Sequence, residues 1–85
     1  MSLPYQYAAD EAVLIIFSAI PPRQRSQLMR IFDLIAEDPF IRGDWVKKDS
    51  DGTEYQVKSF GRWSVIWRVD HPDSCVRIID VELLR

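Results

Sequence analysis

Hydrophobic positions along this chain first follow a helical spacing and then a strand spacing. After Asp10, Val13, Ile16, Phe17 and Ile20 recur at i, i+3, i+4 and i+7, which places them on one face of a helix. Asp10 and Glu11 put acids at its start, where they complement the macrodipole. Leu14 and Ile15 fall off that stripe, so a helix this apolar all round is either buried on two sides or left for a partner to cover. Pro21 has no N–H and disfavours α geometry at Ile20, whereas Pro22 suits a first helical turn. One helix therefore ends where the next begins, giving an αα-hairpin. Leu28, Ile31, Phe32 and Ile35 form the second stripe, Arg23, Arg25, Arg30, Asp33 and Glu37 take the wet face, and Asp38-Pro39 closes the helix.

The period then changes to two. Glu54 to Phe60, Trp63 to Asp70 and Cys75 to Leu83 are rich in β-branched and aromatic residues, with Gly61-Arg62 and His71-Pro72-Asp73-Ser74 as turns. They predict an antiparallel meander. Phe40 to Gly52 has no clear period and reads as irregular, ending in the turn signal Asp51-Gly52. Near the start, Tyr5-Gln6-Tyr7 after Pro4 reads as a short edge strand, and Met1-Ser2-Leu3 reads either as part of the natural chain or as a cloning remnant. The expected fold is α+β in the order β-α-α-β-β-β, with the helical hairpin on one face of the sheet and residues 1–85 forming one domain.

Alternation predicts which strand residues share a face. Trp63, Val65, Trp67 and Val69 read as the core face, joined by Tyr55 and Val57 before them and Ile79, Val81 and Leu83 after them. The opposite face is then expected to hold Glu54, Gln56, Lys58, Phe60, Ser64, Ile66, Arg68, Val76, Ile78, Asp80 and Glu82.

Composition narrows the chemistry. The 85 residues are 47% hydrophobic and 28% charged, which suits a packed globule and argues against disorder. One cysteine, Cys75, makes no internal disulfide, and one histidine, His71, supplies no zinc site alone. No cofactor or metal is expected. The apolar run from Ala12 to Phe17 is too short to cross a bilayer, and no basic segment precedes it, so a cytoplasmic setting without membrane attachment is expected. Eleven Lys plus Arg against thirteen Asp plus Glu leave a net charge of −2, the wrong sign for a protein that relies on many phosphate contacts. Eight of the eleven cations are Arg, the residue suited to bidentate pairing with carboxylate or phosphate.

The run Leu34-Ile35-Ala36-Glu37-Asp38-Pro39, then Glu54-Tyr55-Gln56-Val57-Lys58, then Trp63-Ser64-Val65-Ile66-Trp67-Arg68-Val69-Asp70 and Val76-Arg77-Ile78-Ile79-Asp80-Val81, resembles the RelE/ParE superfamily of toxin–antitoxin toxins over nearly the whole chain. That resemblance implies a small bacterial toxin held inactive by a cognate antitoxin. It also implies one of two targets, messenger RNA in the ribosomal A site or DNA gyrase. In the nuclease branch, sheet side chains activate the ribose hydroxyl and stabilise the phosphorane. Lys58 matches a lysine of that branch, but Gln56 and Ser64 stand where nuclease members carry cations, and no Tyr follows Tyr55. The catalytic candidates implied are Lys58 with Arg62, Arg68 and the terminal Arg85.

Two functional classes follow. One is a toxin-like protein that works by binding partners, an antitoxin and a translational or gyrase target, with Leu14, Ile15, Arg42, Trp45, Lys47 and Lys48 as the partner-binding candidates and a homodimer as the antitoxin-free form. The other is a ribosome-dependent mRNA endoribonuclease centred on Lys58, and a non-toxic partner-binding relative is a third outcome. Asp49-Ser50-Asp51-Gly52 fails as a calcium loop, because Glu54 and Phe60 occupy the positions that need Gly and Glu.

Overall fold

The computed structural model describes residues 5–84 and opens with strand β1 (Gln6–Ala9). Tyr7 and Ala9 turn toward the core and Gln6 and Ala8 toward solvent. Asp10 then does two jobs. Its N–H donates to the Ile78 carbonyl at 2.9 Å, and its own carbonyl accepts from Val13 and Leu14. One residue therefore ends a strand ladder and opens helix α1 (Glu11–Ala19). Ile20 and Pro21 are extended, and Pro22 stands at the start of α2 (Pro22–Glu37), as the two prolines require. The Met1-Ser2-Leu3 reading lies outside the described residues.

The remaining elements are strands β2 (Trp45–Lys48), β3 (Glu54–Phe60), β4 (Trp63–Asp70) and β5 (Cys75–Leu83). They form a five-stranded sheet in the order β1-β5-β4-β3-β2. The expected β3-β4-β5 meander is present, flanked on one edge by β1, which runs parallel to β5, and on the other by β2, antiparallel to β3. The sheet is mixed because β1 runs parallel to β5, and the chain, having left β1 for the two helices, rejoins the sheet at its opposite edge as β2. Val13, Leu28, Ile31, Phe32 and Ile35 from the helices pack with Trp63, Val65, Trp67, Val76, Ile78 and Val81 from the sheet.

Three expectations need correction. The segment read as irregular contains β2, whose four residues are all exposed and half lysine, so strand propensity and alternation are both muted there. A short, lysine-bearing strand is what a sheet edge tolerates.

The faces of β3 are also reversed. Gly61 and Arg62 form a two-residue loop in which Gly61 takes φ 62°, so Phe60 pairs with Trp63, Lys58 with Val65 and Gln56 with Trp67. Directly paired residues share a face. Lys58, Gln56 and Phe60 therefore lie on the side of the two tryptophans, while Val57 faces the other way with Ile66.

In β5 the phase changes midway. Val65 pairs with Val81 and Ile66 with Asp80, but Trp67 pairs with Ile78, leaving Ile79 as an extra residue in a bulge. Val76 and Ile78 are consequently buried, and Leu83 is exposed. Uniform alternation puts Val76 and Ile78 on the open face and Ile79 on the core face, the reverse of what the bulge produces, whereas Leu83 keeps its expected side opposite Trp63 although it is exposed there.

Candidate functional site

Lys58 sits at a corner built by the loop before β2. The Asp44 N–H donates to the Val57 carbonyl at 2.7 Å, and the Gly43 N–H donates to Gln56 Oε1 at 2.8 Å. This close approach needs glycine, since a Cβ on Gly43 would lie 2.5 Å from the Val57 carbonyl oxygen. Asp44 is thereby placed to bind two successive residues of β3. Its Oδ2 accepts the Ser59 N–H at 3.1 Å and its Oδ1 lies 3.3 Å from Lys58 Nζ. The Ser59 hydrogen bond, aided by Lys58, holds the Asp44 carboxyl below its ordinary value. The Lys58 ammonium also stands 5.9 Å from the centre of the Phe60 ring. Asp44 escaped sequence reasoning, because no spacing rule links it to a lysine fourteen residues on.

The other catalytic candidates are dispersed. Arg68 pairs across the strands with Arg77, on the face away from the helices, whereas Lys58 pairs with Val65 on the helix side. Those two arginines form a like-charged cross-strand pair, and Arg77 Nε is buried with no partner among the described residues. Acids of the β2–β3 turn lie near this side. The Thr53 N–H binds Asp51 Oδ1 at 2.9 Å and lowers that carboxyl, with a smaller pull from Arg68. Desolvation chiefly raises the Tyr55 hydroxyl, and Asp49, 3.4 Å away, adds to the rise. Arg62 is exposed in the β3–β4 loop, where its carbonyl accepts the Leu84 N–H at 2.6 Å. Arg85 lies outside the described residues.

The partner-binding candidates occupy separate surfaces. Leu14 and Ile15 on α1 are 57% and 61% exposed. Arg42 and Trp45 line a hollow with Phe40, Glu54, Arg68 and His71, in which Phe40 stacks on the His71 ring at 5.0 Å between centres. The Tyr5 hydroxyl and His71 Nδ1 are 2.9 Å apart, so the β4–β5 turn is tied to the chain leading into β1. Lys47 and Lys48 do not make a single loop cluster with Arg42. They are successive strand residues facing opposite sides, Lys47 paired in register with Tyr55 and Lys48 with Glu54, to which its ammonium also bonds at 3.5 Å.

A groove of about 670 Å³ lies between α2 and the β3–β4 loop. Arg23, Gln27, Arg30 and Leu34 line it from α2, at intervals of four, three and four residues, and so come from one helical stripe. Phe60, Arg62, Trp63 and Leu83 line it from the sheet. Helical spacing alone puts Arg23 and Arg30 on the wet face of α2. What marks them out is the neighbouring β3–β4 loop, which sequence spacing does not bring to mind.

Among the described residues no three of His, Cys, Asp and Glu come together as metal ligands, and no helix is long and apolar enough to cross a membrane.

No family model and no curated protein matches the sequence. Solved structures do match the fold. The archaeal RelE–RelB complex from Pyrococcus horikoshii is similar over 95% of this chain and 96% of that chain, at 14% identity and a TM-score of 0.73. The RelBE2 toxin–antitoxin complex from Mycobacterium tuberculosis covers 95% and 99%, at 17% identity and 0.73. The isolated RelE toxin of E. coli covers 95% and 85%, at 18% identity and 0.73. The chain has a RelE-like fold.

Proposed function

We propose that this chain is the toxin component of a toxin–antitoxin pair and that its working interaction is protein binding. The observation that carries the reading is the RelE-like fold over 95% of the chain, shared with proteins solved together with a RelB antitoxin. Under this reading a cognate antitoxin covers exposed apolar surface such as Leu14 and Ile15, and the free toxin acts on a translational or gyrase target.

The distribution of cations favours binding over catalysis. Lys58 is neutralised by Asp44 at 3.3 Å, and Arg68 projects from the other side of the sheet. Phosphoryl cleavage requires several positive or donating groups converging on one phosphate. The endoribonuclease reading retains Lys58, whose side chain is 30% exposed and so open to a substrate oxygen.

The test is expression of the chain in bacteria under a tightly controlled promoter, wild type beside Lys58→Ala. Arrest in both, relieved by the antitoxin encoded beside the gene, is the expected result. Arrest lost in Lys58→Ala, with new messenger cuts in the wild type alone, would establish the nuclease instead. A folded, well-expressed chain that arrests nothing would overturn the toxin reading.

A further inference from the structure

We propose that the groove between α2 and the β3–β4 loop is the docking site for an acidic, amphipathic helix of a partner protein. The proposal rests on the toxin–antitoxin reading for the partner's biological identity, and on local chemistry for everything else.

Charge is the first argument. The whole chain carries −2, yet among the described residues this groove is lined by Arg23, Arg30 and Arg62 and by no carboxylate. The other hollows mix signs. Asp44 and Glu54 share one with Arg42 and Arg68, and Asp49 and Asp80 share another with Lys47 and Lys48. The two ion pairs among the described residues are Lys48–Glu54 and Lys58–Asp44, so none of the three groove arginines is committed to a carboxylate of those residues.

Shape and polarity decide what kind of anion. Between the arginines the groove is floored by Ile31, Leu34, Phe60, Trp63 and Leu83, of which Leu34 is 48% and Leu83 41% exposed. An apolar floor with a cationic rim complements a helix that presents Leu or Ile on one stripe and Asp or Glu beside it. Arg23 and Arg30 are seven residues apart, about 10 Å along α2, and carboxylates seven residues apart on a partner helix repeat that spacing. Single-stranded RNA fits less well. It needs exposed ring faces for stacking, and Trp63 is only 3% exposed.

The test uses the full chain and three fluorescent probes. The first is a 20-residue helical peptide with Leu at the heptad core positions and Glu flanking them, the second is the same peptide with Gln for every Glu, and the third is a single-stranded RNA 12-mer. Anisotropy should show the Glu peptide binding at least ~10-fold tighter than either of the others, with affinity falling as salt rises. Arg30→Glu with Arg62→Glu should weaken it by ~10-fold or more. Leu34→Ser, a separate variant at an exposed position, should weaken it several-fold while leaving the circular dichroism spectrum unchanged. Equal binding of the Gln peptide, indifference to all three substitutions, or tighter binding of RNA that displaces the peptide would each overturn the proposal. Failure here is separable from failure of the toxin reading. A chain that arrests growth but ignores the peptide loses this groove and keeps its toxicity, whereas one that binds through these arginines and arrests nothing keeps the groove alone.

Discussion

Asp44 clasps Lys58 from the loop before β2, with 3.3 Å between carboxylate and ammonium, and its second oxygen takes the N–H of the next residue, Ser59. The pair is both a local fastening of β2 to β3 and the reason that Lys58 is not a bare cation. Its pH dependence follows from the lowered Asp44 carboxyl. A group whose folded value is depressed stabilises the fold fully above its unfolded value, here 3.8, and loses that contribution as pH falls through the folded value.

Asp44→Asn should therefore lower the urea midpoint at about pH 7 and have progressively less effect in acid below pH 3.8, until the two proteins coincide at the pH where the carboxyl is fully protonated. A difference that stayed constant down to that pH would mean that packing, and not the charge on Asp44, holds the corner.

Gly43 controls the same corner through its backbone. A methyl group there would sit 2.5 Å from the Val57 carbonyl oxygen, with the Val57 nitrogen at 2.7 Å, and neither is the movable end of a side chain. Gly43→Ala should destabilise the chain by about 1–3 kcal/mol and speed amide exchange in β2 ahead of the central strands. Exchange in β2 indistinguishable from the wild type would show that the loop accommodates the methyl group.

Much of this architecture can be read from the sequence, and the parts that cannot have physical causes. The helices were legible because Val13, Leu28, Ile31 and Ile35 keep a helical period and Pro21-Pro22 punctuates it. The three long strands were legible from their composition. Their faces were not, because facing depends on register. A two-residue loop at Gly61-Arg62 puts Lys58 beside Val65 and sends Val57 to the face away from the helices, where it is nonetheless buried, and one extra residue at Ile79 inverts the alternation halfway along β5. The site suffered most from this. Lys58 and Arg68 seemed to share a face and are in fact separated by the sheet, while Arg23, Arg30 and Arg62 meet only through the tertiary fold.

The bulge makes a sharp prediction for two adjacent isoleucines. Ile78 is fully buried opposite Trp67, and Ile79 is only half-buried on the open side. Ile78→Ala should cost about 2–5 kcal/mol, as expected for a buried aliphatic side chain, whereas Ile79→Ala should cost well under half of that. Regular alternation without the bulge requires the reverse order, so paired urea titrations of the two variants decide the register directly.

Helix α1 supplies the last prediction, because its outer face is apolar where solvent would favour polar residues. Leu14 and Ile15 are more than half exposed and contribute nothing to the buried cluster, so replacing both with Glu should change stability by less than about 0.5 kcal/mol. The same replacement should act strongly on association. Burying a Leu or Ile side chain is worth roughly 1.5–3 kcal/mol, so a self-associating antitoxin-free chain that uses this face should lose at least ~10-fold in dimer affinity when both are charged. Sedimentation velocity over a concentration series reads the effect, with dimer expected in the wild type and monomer in the double variant. Equal behaviour of the two proteins would remove α1 from any interface between copies. It would leave the arginine groove, whose arginines lie on α2 and the β3–β4 loop, to be judged on its own peptide binding.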